Sequence, residues 1–231
     1  MSDRPFDIKK LQAIAFWVCA IVLVASLCAS GVLASDEEAP DKQSDDLVFI
    51  PPASGAPADR LGAGTRDVDI SNAKTILMAP PGGGLTATAK PLLIWHFAEP
   101  VDGPVTVAIS PQVGLARGFV ATIEGRFSTG YHGLNLERSQ VQLLPDKLYA
   151  WEVRHGTSEA LSSRGYIEYR VPEKPPQSAR DAAAAGYWYD ALAMLYDVGF
   201  SGQLELKDVG GLRSLSQSAG LDLTKFLDAQ Q

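Results

Sequence analysis

Three histidines, His96, His132 and His155, make up the whole imidazole complement of the chain. Imidazoles that hold zinc commonly come in short-range pairs such as H-x-x-x-H, and these three stand 36 and 23 residues apart. Only a fold that gathers distant strands would make a site of them. His96 follows Trp95 in an apolar run and His132 lies in Gly-Tyr-His-Gly, which reads as a turn. Both have ordinary structural settings, so no metal and no cofactor is expected. Glu99 with Glu124, or Glu152 with Glu168, are the carboxylates that glycosidase chemistry would use at a suitable separation. Glutamate is equally the residue of a solvated strand face. Trp95, Tyr131, Tyr149 and Trp151 offer rings for a carbohydrate platform, although aromatic core packing is their ordinary use. Nucleophilic catalysis has no support: there is no G-x-S-x-G elbow and no meaningful S-x-x-K. Gly82, Gly83 and Gly84 match neither a phosphate loop nor a dinucleotide fingerprint, because a strand rather than a helix follows them; they read as a turn. Arg66, after the glycine turn Gly62-Ala63-Gly64-Thr65, could clamp a carboxylate or a helix C-terminus, which makes it a candidate partner contact.

These residues depend on their elements for position. Between about residues 72 and 171, short strand-like runs alternate with Gly, Pro, Asp and Asn, as an all-β sandwich requires. The expected strands cover residues 75–78, 92–97, 105–109, 119–123, 134–143 in broken form, 148–155 and 166–171. Tyr149, Trp151 and Val153 share one face while Glu152 and Arg154 share the other; Ile167, Tyr169 and Val171 oppose Glu168 and Arg170 in the same way. A hairpin joining these two strands would set their Glu/Arg faces side by side. Residues 92–97 are apolar on both faces, which predicts a central strand covered twice. The cover is expected from the C-terminal segment. Ser178 with Asp181 forms a helix N-cap pair, and one helix is expected to run to Val198 before Gly199. Its stripe of Trp188, Leu192 and Leu195, flanked by Tyr187, Ala191, Met194 and Val198, is too wide for a lone surface helix. It must pack on the sandwich, on the later helices or on a partner, and for the last case Trp188 and Asp190 join Arg66 as candidate partner contacts. Two shorter helices are expected over residues 212–219 and 222–229.

The N-terminus has the clearest signal. Arg4, Lys9 and Lys10 precede an apolar stretch over residues 11–27, broken only by Gln12 and Ser26, and small residues follow as far as Ala34. This is the pattern of a secretory signal, with cleavage expected between Ala34 and Ser35. The competing reading is an uncleaved anchor, since residues 11–34 are just long enough to span a bilayer. Cys19 and Cys28 both lie within this segment, so a processed chain contains no thiol for a disulfide, zinc-thiolate or redox site. The net charge of −7 across 231 residues excludes a global positive field for nucleic acid, and removing the leader makes the remainder more acidic still. Residues 35–65, acidic and then rich in Pro, Gly and Ala, read as a spacer. Within it Leu47, Val48, Phe49 and Ile50 suit a docked edge strand or an unstructured apolar patch. The expected organisation is thus a leader over 1–34, a spacer over 35–65, a β-domain over 66–172 and a helical subdomain over 173–231. Its fold class is mainly β, an immunoglobulin-like antiparallel β-sandwich followed by a small α-helical part.

The motifs recur in a recognisable order: Gly62-Ala63-Gly64-Thr65-Arg66; Leu77-Met78-Ala79-Pro80 with Gly84-Leu85-Thr86 and Lys90-Pro91; Trp95; Leu143-Leu144-Pro145 with Leu148-Tyr149-Ala150-Trp151-Glu152-Val153; and Gly186-Tyr187-Trp188-Tyr189-Asp190-Ala191-Leu192. Over about residues 50–225 this resembles a bacterial family of unknown function, numbered 928 and common in cyanobacteria. The chain departs from the family pattern over residues 206–215, which contain no tryptophan before their Leu segment. The resemblance implies an exported protein with a β-domain and a helical tail. That family carries no established activity, so no catalytic residue is transferred from it. The segment around Tyr187 also looks like one helix of a tetratricopeptide-type repeat, although one unit makes no array. The expected function is a non-enzymatic binding or adaptor module of the envelope, periplasmic or extracellular, engaging an envelope protein and touching membrane only through its N-terminal segment. The alternative is an envelope hydrolase or glycan-binding protein that uses carboxylates and aromatics on the β-sandwich.

Overall fold

The structure is a computed structural model that describes residues 46–52, 75–112, 118–156, 163–198 and 203–228. It is mainly β, with several antiparallel sheets and a few helices. A three-stranded sheet has the order β1 (Thr75–Leu77), β3 (Leu92–Phe97), β8 (Gly130–Asn135). A five-stranded sheet runs β2 (Gly84–Thr86), β10 (Ser163–Tyr169), β9 (Lys147–His155), β5 (Val105–Pro111), β6 (Phe119–Ile123). Only β2 with β10 is a parallel pair among these strands. Two ribbons complete the β-structure: β4 (Val101–Asp102) with β7 (Arg126–Phe127), and β11 (Tyr196–Val198) with β12 (Leu204–Leu206). The helices are α1 (Ala179–Ala184), α2 (Trp188–Met194), α3 (Val209–Ser218) and α4 (Thr224–Asp228). None of the described helices is long and apolar enough to cross a membrane, and residues 1–34 lie outside the described residues.

Alternation in the sequence translates directly into pairing. Residues 149, 151 and 153 project into the core and oppose Ile167, Gly165 and Ser163 across the β9–β10 hairpin. Gly165 is required where it stands, because a Cβ there would lie 2.7 Å from Trp151 Nε1 and from Ala79 Cβ. This register sets the charged face as well. Arg164, rather than Arg170, falls opposite Glu152, at 3.6 Å, and Glu168 falls opposite Leu148. The expected ladder of Glu152 and Arg154 beside Glu168 and Arg170 is therefore replaced by pairs along each strand, Arg154 with Glu152 and Arg170 with Glu168. β3 is the central strand of its sheet and is almost wholly buried, as its two apolar faces require.

Three expected elements take different forms. The single helix running to Val198 is interrupted at Gly186, whose φ of +81° is left-handed. There the N–H of Gly186 donates to Ala183 O and that of Tyr187 to Ala182 O, both at the end of α1. This is the Schellman arrangement, in which a glycine without a Cβ ends the helix and satisfies its last carbonyls. α2 restarts at Trp188, and the chain then extends into β11. The broken strand over 134–143 instead begins earlier, at Gly130, and ends where the Asn135 side chain accepts from Glu137 N and caps a short 3-10 turn, Leu136–Arg138. Gly-Tyr-His-Gly is accordingly strand and not turn. Finally, residues 46–52 of the spacer are neither an edge strand nor a loose patch. They lie extended, with Leu47 and Phe49 buried and Val48 and Ile50 exposed, and with Phe49 N donating to Ser218 Oγ and Ile50 N to Ala183 O. One cluster of buried side chains runs from Leu47 through the strands to Leu227, so the helices share the core of the sheets.

Candidate functional site

Adjacent β3 residues project to opposite faces, and antiparallel register partners project to the same face. Trp95 pairs with His132, and His96 pairs with Tyr131. The two histidines therefore stand on opposite sides of the three-stranded sheet. On one side Phe97 packs against His132 and His155, with ring centroids 5.2 and 5.5 Å apart, while Phe127 adds an edge contact to His132. On the other side His96 meets Tyr131 at 4.8 Å and Phe226 of α4 at 5.3 Å, and Tyr131 meets Tyr196 of β11 at 5.2 Å.

Each imidazole has a structural environment. His132 Nε2 lies 2.8 Å from Ser128 O, and His155 Nε2 lies 2.9 Å from Thr75 Oγ1, which links β9 to β1. His96 is 4% exposed and its Nδ1 has no hydrogen-bond partner among the described residues. Burial, reinforced by the His132 imidazole, pushes its pKa down to about 4. Burial also lowers that of His132, against the opposing pull of Ser128 O. The Tyr131 phenol is pushed up to about 12 by burial, and Tyr196 goes well above its ordinary value for the same reason. Their hydroxyls influence one another, but neither makes a well-formed hydrogen bond. The groups are thus held neutral, and the described residues contain no cluster of three or more potential metal ligands.

The residues from Gly186 to Asp190 join four parts of the fold. Gly186 O accepts from Leu85 N of β2. Trp188 Nε1 donates to Met78 O at 2.9 Å, just beyond β1. The Tyr189 hydroxyl accepts from Trp151 Nε1 of β9 and donates to Tyr166 O of β10, both at 2.8 Å. Asp190 Oδ2 accepts from Ala87 N at 2.8 Å, so the carboxylate closes the open edge beyond β2. Burial raises the Asp190 pKa, while the Ala87 N–H and the Thr86 hydroxyl pull it back. Gly84 makes this approach possible, because a Cβ there would come within 2.6 Å of Trp188 Cβ.

Trp188 has no exposed surface and its indole N–H is already engaged, so it is a core residue and not an outward-facing partner contact. Asp190 is half-buried and its Oδ2 is held by β2's continuation. Arg66, Ala34 and Ser35 lie outside the described residues. Trp95, Tyr131, Tyr149 and Trp151 are all buried, so they form no exposed platform for a sugar. Glu99 and Glu124 are exposed at strand ends, whereas Glu152 and Glu168 lie in β9 and β10 with arginine neighbours. The sequence reading passed over Tyr189, Tyr196 and the His96–Tyr131 pair. For Tyr189 a signal existed, since it shares its motif with Trp188 and Asp190; for Tyr196 there was none, because the expected helix hid a strand.

Compared with protein-family models and with curated proteins, the chain finds no match.

Proposed function

We propose that this chain is an exported, non-enzymatic binding or adaptor module of the envelope, carried on an immunoglobulin-like β-sandwich and related to the family numbered 928. The observation that carries the reading is the division of the imidazoles between opposite faces of β3 and β8, each neutral and packed among aromatic rings. Groups arranged this way build a core, and one polar surface open to recognition is the outer face of the five-stranded sheet. Arg154, Glu152 and Arg164 stand there beside the short side chains of Thr106 and Ala108.

Two features support the immunoglobulin-like form. The strands divide into one sheet of three and one of five, with contacts such as Phe97 to His155 and Thr75 to His155 crossing from the first to the second. Near the start of β9 the Tyr149 hydroxyl accepts from Leu144 N at 3.1 Å, which resembles the tyrosine corner of such domains. Two residues on, where antibody domains place a cysteine, this chain has the buried Trp151.

The test is cross-linking in intact cells that express a C-terminally tagged copy, with mass spectrometry of the mature N-terminus and of co-purifying proteins. The expected result is an N-terminus at Ser35 and one near-stoichiometric envelope protein whose recovery falls at least tenfold in the Arg154→Glu, Arg164→Glu double variant. Recovery of the tagged protein alone, or of a partner indifferent to that variant, would overturn the binding assignment. Retention of residues 1–34 would overturn cleavage and leave the anchored form.

A further inference from the structure

Among the described residues five buried side-chain polar atoms have no hydrogen-bond partner: Trp95 Nε1, His96 Nδ1, the Tyr131 hydroxyl, Glu152 Oε2 and the Tyr196 hydroxyl. Burying such a group unpaired costs free energy that native folds seldom leave unrecovered. Glu152 Oε2 still faces Arg164 at 3.6 Å, and Trp95 belongs to the face of β3 and β8 that carries His132. The other three gather in one place. His96 and Tyr131 are register partners on the opposite face, with ring centroids 4.8 Å apart, and Tyr196 of β11 meets Tyr131 at 5.2 Å. The two phenol hydroxyls lie close enough to perturb one another, yet neither bonds the other well. All three residues are at most 4% exposed. On the same side Phe226 of α4 packs on His96 at 5.3 Å, and Arg213 of α3 holds Asp228 of α4 at 2.8 Å.

We propose that His96, Tyr131 and Tyr196 together bind one buried water, which accepts a hydrogen bond from each phenol, donates one to His96 Nδ1 and so ties β11 to the three-stranded sheet. The donor set and the space select this guest. A buried structural water makes about three hydrogen bonds, to polar groups that would otherwise be unsatisfied, and the cluster offers that number. Rings in contact at 4.8 and 5.2 Å leave room for a guest only at their polar tips, which limits it to the size of a single heavy atom. The guest is also uncharged. Burial drives the imidazole pKa down to about 4 and that of the Tyr131 phenol up to about 12, the response of a site that resists charge of either sign. An anion would find no cation among the three groups, and a metal ion would have to strip the protons from both phenols. The bond to Nδ1 fixes the tautomer, with the imidazole proton on Nε2. β11 pairs with β12, and that ribbon meets β8 at the isolated bridge between His132 and Gln203, so the water gives β11 a polar tie of its own to the sheet.

The experiment is magnetic relaxation dispersion of the water oxygen nucleus on the purified protein, which counts waters held inside it for longer than its tumbling time. The double variant Tyr131→Phe, Tyr196→Phe is measured beside the wild type and is expected to hold one long-lived water fewer. Thermal midpoints of the two single variants and of the double variant complete a cycle. The double shift should differ from the sum of the single shifts, because both hydroxyls share one guest. A direct bond between the phenols would give the same cycle with an unchanged water count, so an unchanged count overturns the proposal, and additive shifts do so as well. A further readout needs no variant and decides the matter if the double variant fails to fold. In the wild type, water should show magnetic cross-relaxation to the carbon-bound Hε1 proton of His96, which stands next to Nδ1; a missing cross-peak would overturn the assignment.

Discussion

Acid should loosen this fold through His96. The imidazole lies between Tyr131 and Phe226, and burial pushes its pKa from 6.5 to about 4. In the unfolded chain it titrates near 6.5, so between pH 6.5 and 4 the unfolded state binds the extra proton. Stability from this group is therefore complete above about pH 6.5 and is lost as the pH falls toward 4. Linkage gives about 2 kcal/mol lost by pH 5 and about 3 kcal/mol at the acid end of the window, each pK unit being worth about 1.4 kcal/mol. Other groups titrate over the same range, and Asp190, whose pKa is raised, acts in the opposite direction. Comparison with His96→Phe isolates the imidazole, because a phenyl ring suits the same aromatic neighbours and takes up no proton. Urea unfolding of both proteins at pH 7 and pH 5 is the assay. The wild type should lose about 2 kcal/mol more than the variant over that interval. Equal losses in the two proteins would refute the argument, since they would mean that His96 protonates as readily in the folded chain as in the unfolded one.

Two further outcomes follow from the packing. Tyr189→Phe removes one hydroxyl but strands two buried partners, Trp151 Nε1 and Tyr166 O, so it should cost about 2 kcal/mol or more in denaturant unfolding, whereas a neutral result would mean that water replaces the hydroxyl. Phe49→Ala empties a site against Trp188, with ring centroids 5.1 Å apart, and should cost about 3–5 kcal/mol, while Ile50→Ala next to it should be nearly neutral because Ile50 is exposed; equal effects would deny the docking of this segment.

The strands were legible because their cause is local. Tyr149, Trp151 and Val153 alternate with charge, and a strand with one buried face can pair in only one register without turning its apolar set outward. The broad outline of a mainly β chain ending in helices followed from such runs. What was not legible depended on residues distant in sequence. Gly186 ends α1 by a local Schellman turn, but where that turn carries the chain is set by a distant group, the Leu85 N–H that its carbonyl accepts. His132 sits between glycines, and only pairing with Trp95 makes that stretch a strand. The wide apolar stripe of Trp188 and its neighbours requires cover from the sandwich, the later helices or a partner, and among these the contacts of Trp188 are with Met78 and Gly84 of the β-structure and with Phe49 of the preceding segment. A sequence states how much apolar surface an element must bury; it does not state against what.

The docking of residues 46–52 bears on how the two ends of the chain cooperate. Phe49 packs on Trp188 while its amide donates to Ser218 of α3, and Ile50 N donates to Ala183 O at the end of α1. A segment near the N-terminus thus completes the core of elements near the C-terminus. Such contacts carry a large loop-closure cost, which folding offsets only after the intervening strands have paired. Trp188 is the meeting point, since it touches Phe49, bonds to Met78 O and lies against Gly84. Segments 46–52 and 186–190 should accordingly open together, and only with the sheets that both of them close.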